Sequence, residues 1–196
     1  MVEKNRKGPA LLRNGAAFTR LAVGQVEQAV GNGARLVDVR DQVAFGAAFL
    51  PGSVNIGMRP NSVNWLGMVV EAASEIIVVA DSEADAREAA FRFRRAGYDR
   101  LIGYLADGVS GWAMQGKQLD HLPQLTVDSL KHVLAKYSDH VVLDVRTDGE
   151  WQTGHIEGAV HTPISDLIQH GTDMPKQRHV TAVCGSGYRS NIAGSF

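Results

Sequence analysis

The sequence predicts an α/β protein made of two copies of one unit, each a parallel sheet flanked by helices. Three observations lead there. First, the chain of 196 residues repeats itself. Ala34-Arg35-Leu36-Val37-Asp38-Val39-Arg40 returns as His140-Val141-Val142-Leu143-Asp144-Val145-Arg146. Phe49-Leu50-Pro51-Gly52-Ser53-Val54-Asn55 returns as His155-Ile156-Glu157-Gly158-Ala159-Val160-His161, at the same offset of 106 residues. Self-similarity at a fixed spacing marks a repeated structural unit. Second, short and largely β-branched apolar runs alternate with helix-length stretches. Strands that are apolar throughout belong in a parallel sheet covered on both faces. Third, the longest apolar runs, such as Ile76-Ile77-Val78-Val79-Ala80, are only strand-length, so neither a signal peptide nor a transmembrane helix is expected.

Each copy opens with a short helix, at residues 19–31 and 126–137. Both begin at a threonine, a side chain that caps helix N-termini, and Asp128 in the first turn suits the second. A buried strand ending in Asp-Val-Arg follows, then a glycine-containing loop and a second short strand. The third strand, at 76–80 and 179–183, is β-branched in character, and its offset is shorter by about three. A loop then opens into a helix, at 84–96 and 188–196. The first copy continues through Gly97-Tyr98, a strand at 101–104 and a closing segment at 108–116.

These elements divide the chain into a tail or linker (1–15, carrying the basic cluster Lys4, Arg6, Lys7 and Arg13), a first domain (16–120) and a second (121–196). On this alignment Phe196 answers to Phe93, so residues 94–119 have no counterpart. The second domain is therefore expected to be incomplete at its C-terminal end. A unit without its last strand and helices exposes apolar sheet surface, at a cost of roughly 25 cal/mol per Å². Leaning on the first domain, or pairing with another chain as a dimer, would cover it.

Composition excludes several classes. The formal net charge of −1 gives no reason to expect nucleic acid or an anionic membrane as the main partner. The single cysteine rules out an internal disulfide and a thiolate zinc site, and makes the cytoplasm the default compartment. All seven histidines lie in the second half. No two are spaced i, i+4 around a glutamate and no carboxylate cluster accompanies them. Neither a metal nor an organic cofactor is expected.

The chemistry concentrates in the loop Cys184-Gly185-Ser186-Gly187-Tyr188-Arg189-Ser190, between a buried strand and a helix. Inward-pointing backbone N–H groups and a helix start favour a thiolate, so the Cys184 pKa should fall. Arg189 adds a cation. Gly185 and Gly187 let the backbone wrap a small ligand, and Ser186, Tyr188 and Ser190 bring hydroxyl donors. A lone cysteine after a strand is often only a small buried hydrophobe. The Gly-x-Gly-x-Arg-Ser context is what argues for a nucleophile here.

Three signatures in order resemble the rhodanese superfamily: Asp144-Val145-Arg146, Gly154-His155-Ile156-Glu157-Gly158-Ala159, and a six-residue loop from Cys184 to Arg189. The first copy is similar over its whole length, including Asp107-Gly108-Val109-Ser110-Gly111-Trp112. The resemblance implies two rhodanese-like domains. It also implies sulfane-sulfur transfer through a Cys184 persulfide to cyanide, sulfite or a thiol, with Gly185, Ser186, Gly187, Tyr188 and Arg189 binding the substrate.

Asp144, Arg146 and His155 are assigned supporting roles. The first two make ion pairs and backbone hydrogen bonds, with Glu150 a partner for Arg146, and His155 satisfies a buried hydrogen bond. Trp65, Trp112 and Trp151 are core or rim packing. Many active members carry an arginine where Gly185 stands, which makes glutathione persulfide or a protein persulfide a better donor than thiosulfate. The first copy has Asp81 where the cysteine would be and is expected to be catalytically inactive. An inactive first copy followed by an active second one also resembles the C-terminal part of fusions with a metallo-β-lactamase-type persulfide dioxygenase.

Two other readings stay open. One is a phosphatase or arsenate reductase on the same fold, whose loop is one residue longer. The other is a non-catalytic regulatory or docking module.

Overall fold

The computed structural model describes residues 18–171 and 179–196. The expected tail, 1–15, lies outside the described residues. The first unit runs β1 (Thr19–Leu21), α1 (Val23–Gly31), β2 (Arg35–Asp38), α2 (Gln42–Ala47), β3 (Val54–Asn55), α3 (Ser62–Val69), β4 (Ile76–Val79), α4 (Glu83–Arg95), β5 (Leu101–Leu105) and α5 (Gly108–Met114). The second runs α6 (Val127–Lys136), β6 (Val141–Asp144), α7 (Asp148–Gln152), β7 (Val160–His161), α8 (Ile164–His170), β8 (Val180–Val183) and α9 (Tyr188–Gly194). Both sheets are parallel, in the orders β1-β5-β4-β2-β3 and β7-β6-β8. The α/β architecture read from the sequence is the one the chain adopts.

One element differs at its start. The helix expected from residue 19 begins at Val23, because Thr19–Leu21 is instead an edge strand paired to β5. Gly103 admits that strand, since a Cβ there would collide with the carbonyl of Thr19. Gln25 then reaches back to accept the Ala22 N–H at 2.8 Å, closing the first turn of α1 without a capping threonine. The second expectation holds: the Thr126 hydroxyl accepts the Ser129 N–H at 3.1 Å and caps α6.

The first sheet buries both faces, because alternate strand residues point to opposite sides. Val37, Ile76 and Val78 face Phe93 and the stripe Ala86, Ala89 and Ala90 of α4, which recur at helical spacing. Leu36, Ile77 and Val79 face Val23 and Val26 of α1 and Trp112 of α5. The first of these clusters does not stop at the domain boundary. It continues through Leu143, Val145, Ile164, Tyr188 and Ile192 of the second unit, so the two halves share one core.

In the first sheet β4 is flanked by β2 and β5. In the second, β8 pairs with β6, and among the described residues its other edge carries no strand. An open, largely apolar trough of about 1330 Å³ lies there, with Leu130, Leu143, Leu167, Val183 and Phe196 in its walls.

Candidate active site

The two Asp-Val-Arg segments fold the same way. Arg40 grips Asp38 through Nε and Nη2, at 3.0 to 3.1 Å and 2.6 Å, and donates to the Ala48 carbonyl at 2.8 Å. Arg146 grips Asp144 likewise, at 2.9 Å and 2.6 Å, and donates to the Gly154 carbonyl at 2.8 Å. Each arginine thus ties the end of its strand to the loop that follows the next helix. Burial raises the Asp144 pKa, but the hydrogen bonds from Arg146 outweigh it and hold the carboxyl below its ordinary range. Asp38 is buried more deeply, and there burial prevails over Arg40 and raises the pKa.

The expected partner of Glu150 is not the one it takes. Its carboxylate receives both guanidinium nitrogens of Arg189 at 2.6 Å, and it acts on Arg146 only through space. The cause is local. Thr147 and Glu150 form a capping box at the start of α7, with the Thr147 N–H and hydroxyl donating to Oε2 at 3.1 and 2.8 Å. That anchors the carboxylate facing Arg189, and these bonds, led by the Arg189 pair, push its pKa far below normal.

Cys184 follows β8 directly, half-buried in the wall of the trough. The Ser190 N–H donates to its Sγ at 3.4 Å, and the Ser190 Oγ lies 3.5 Å from the same sulfur. Burial raises the thiol pKa, yet the Ser190 hydroxyl and the N–H groups of Ser190, Ser186 and Arg189 together lower it below the ordinary value. Gly187 closes the loop at φ +79°, a left-handed conformation that disfavours any side chain with a Cβ. Ser190 also donates to the Gly187 carbonyl at 3.1 Å.

Tyr188 does not join this group. Its ring is buried and its hydroxyl donates to the Gly57 carbonyl of the first unit at 2.9 Å. The Arg59 guanidinium lies 4.6 Å over the ring and Trp65 meets its edge at 6.2 Å. Burial pushes its pKa up to about 12. Three residues on, Asn191 donates to Asn55 Oδ1 at 2.7 Å and accepts from Gln124 at 3.1 Å. Tyr188 is therefore an anchor between the halves, not a donor to substrate. Ser186 is exposed, and Gly185 stands beside the ion pair, where a Cβ would lie 3.7 Å from Arg189 Nη2 and 3.9 Å from Glu150 Oε1.

His155 is exposed rather than buried, stacked on Trp151 at 3.5 Å with Nδ1 on the Trp151 carbonyl at 3.1 Å. His161 stacks on Trp151 at 4.6 Å. Its Nε2 contacts the Arg146 carbonyl at 2.9 Å, and a carbonyl only accepts, so that nitrogen carries the proton. Asn55 does the same work in the first unit, donating to the Arg40 carbonyl at 3.0 Å. This pair sits at matching places of the repeat, which is the signal that finds it.

The site of the first unit is also corrected. Ladder register pairs Asp38 with Val79 and Asp144 with Val183. The position of Cys184 is thus held by Ala80, and Asp81 comes one residue later, because the first loop reaches its helix sooner. Neither residue can carry sulfur. Asp81 and Asp85 instead border a small pocket of about 270 Å³ with Arg40 and Arg59.

A family model for the rhodanese-like domain matches residues 22–115 and 126–196. The chain belongs to the rhodanese-like domain family. A sulfurtransferase of Allochromatium vinosum is 32% identical over 73 residues, covering 37% of this chain and 68% of that protein. The Bacillus subtilis protein YrkF, named as a sulfur carrier, is 26% identical over 72 residues, covering 37% of this chain and 39% of its own length. The solved structure of wild-type EanB superposes on 78% of this chain and 42% of its own, with a TM-score of 0.50 at 15% identity, a likeness of fold. The chain thus spans well under half of YrkF. Relatives of this kind support a sulfur-transfer type of function. No described helix is long and apolar enough to cross a membrane.

Proposed function

We propose that the second unit is a sulfurtransferase that moves sulfane sulfur through a Cys184 persulfide, while the first unit is an inactive scaffold. One observation carries this reading. The only cysteine of the chain leaves its strand into a loop whose N–H groups and Ser190 hydroxyl converge on the sulfur and lower its pKa.

The thiolate attacks the outer sulfur of a donor. The S–S bond of an organic persulfide breaks, its electron pair leaves on the inner sulfur, and the proton of the transferred outer sulfur passes to that leaving thiolate. Thiosulfate would lose sulfite in the same step. The terminal sulfur of the Cys184 persulfide is then anionic, and the N–H groups that favour the thiolate favour it too. Cyanide, sulfite or a thiol attacks that sulfur and releases the Cys184 thiolate, which closes a ping-pong cycle. Gly185, Ser186, Gly187 and Arg189 supply the loop surface the donor meets, and Asp144 and Arg146 fix the neighbouring strand end.

A phosphatase-type reaction is disfavoured by the Arg189–Glu150 pair, which leaves a tetrahedral dianion facing a carboxylate. The cytoplasm as compartment, and sulfur supplied by a fused or neighbouring persulfide dioxygenase, belong to the same proposal. The test is sulfur transfer from glutathione persulfide or thiosulfate to cyanide or sulfite. Transfer lost in Cys184→Ser supports the reading. A folded wild-type chain that transfers no sulfur from either donor leaves the docking-module alternative standing.

A further inference from the structure

A cation that acts on Cys184 is already matched by an anion. Arg189 closes the six-residue loop that starts at Cys184, and a bare guanidinium there would attract an anionic donor. Both of its terminal nitrogens instead lie 2.6 Å from the Glu150 carboxylate. The geometry is a two-point match of planar groups, the strongest form of such a pair. Glu150 is not free to swing away, since Thr147 holds Oε2 through its N–H and its hydroxyl.

The neighbouring arginine is matched as well. Arg146 spends its guanidinium on Asp144 and on the Gly154 carbonyl. The position next to the nucleophile, Gly185, carries no charge, and the pair lies against it. With Cys184 as a thiolate, Arg189 and Glu150 cancel and the net charge of this group is negative.

We propose that Glu150 is a specificity-determining residue. Fixed by Thr147 and paired with Arg189, it turns the loop against small inorganic dianions such as thiosulfate and towards sulfane sulfur carried on an organic thiol. The inference rests on sulfur transfer at Cys184, and it adds what decides the donor. A persulfide on an organic thiol presents its outer sulfur to the thiolate without bringing a doubly negative group against Glu150. Thiosulfate must bring its sulfonate within a few ångströms of that carboxylate, where like charges repel; Glu150 is 38% exposed, so solvent and salt screen that repulsion in part.

Two variants test this with independent readouts. Glu150→Gln removes the charge and keeps a side chain that can serve the same capping box. Gly185→Arg adds a cation at a place where the backbone is not left-handed and the new Cβ makes only ordinary contacts. The first readout is the ratio of kcat/KM for thiosulfate to kcat/KM for glutathione persulfide, with cyanide as acceptor. Each variant is expected to raise that ratio by about tenfold, through the KM for thiosulfate, with the gain shrinking in high salt.

The second readout needs no sulfur transfer. It is the rate of Cys184 alkylation by anionic iodoacetate relative to neutral iodoacetamide, which should rise by about three- to tenfold in both variants. A purely structural role for Glu150 would slow both alkylating agents alike. If neither ratio moves in Glu150→Gln, whatever Gly185→Arg does, the assignment of Glu150 is overturned. If the alkylation ratio moves but no donor yields sulfur, Glu150 does set the charge of the site and the sulfurtransferase reading is what fails.

Discussion

Replacing Tyr188 should loosen the Cys184 loop through the first unit. The ring is buried between the halves, its hydroxyl donates to Gly57, and Arg59 and Trp65 pack on it. Tyr188→Phe keeps the ring and strands one carbonyl, which costs about 1 kcal/mol and up to about 3 kcal/mol if water cannot reach it. Tyr188→Ala also opens a cavity of aromatic size and loses the guanidinium contact, for a total of about 3–5 kcal/mol.

The N–H groups of Arg189 and Ser190 that favour the thiolate come directly after this anchor. Cys184 alkylation by iodoacetamide at neutral pH should therefore slow by about three- to tenfold in Tyr188→Ala. Urea unfolding followed by tryptophan fluorescence gives the stability, and mass spectrometry gives the alkylation rate. A Tyr188→Ala chain within about 1 kcal/mol of wild type, with an unchanged rate, would refute the idea that the first unit holds the loop.

Two further outcomes follow from the charges at the site. The pH midpoint of Cys184 alkylation should lie below the ordinary thiol value of about 8.5, and Ser190→Ala should move it upward, because the Ser190 hydroxyl is the largest of the contributions that lower it. Asp144→Asn should destabilise the fold by about 2–4 kcal/mol at pH 7, since Arg146 loses a charged acceptor in a buried place. The Asp144 pKa is depressed in the folded state, so its contribution is whole above the ordinary carboxylate pKa and disappears as pH falls through the folded value. The gap between wild type and Asp144→Asn in urea unfolding should thus close below about pH 4.

The repeat made most of the fold readable, because both Asp-Val-Arg strands and their glycine turns keep their spacing. The Cys184 loop is readable by itself, since a cysteine between an apolar strand and a helix, followed by Gly185, Gly187 and Arg189, leaves a local signature; β8, expected to be buried, is only half-buried because its outer edge carries no strand among the described residues. What escaped is set by contacts distant in sequence. Nothing near Tyr188 tells that its hydroxyl meets a carbonyl 131 positions earlier. Thr19 reads as a cap because threonine favours both caps and strands, and pairing with β5 decides between them. Residue counting sets Asp81 opposite the cysteine because it cannot see that one loop is shorter, whereas the ladder register can. Glu150 is the instructive case. The Thr147-x-x-Glu150 spacing, a signal that the reading of the sequence leaves unused, is that of a capping box and fixes where the carboxylate sits, but which arginine it meets depends on where α9 brings Arg189.

The most direct test of the account is the mass of the peptide containing Cys184 after the intact chain is treated with glutathione persulfide and freed of excess donor. The account predicts a gain of one sulfur atom on Cys184, removed by cyanide and absent in Cys184→Ser. A Cys184 that is alkylated readily yet never gains sulfur, in a folded protein, would contradict it.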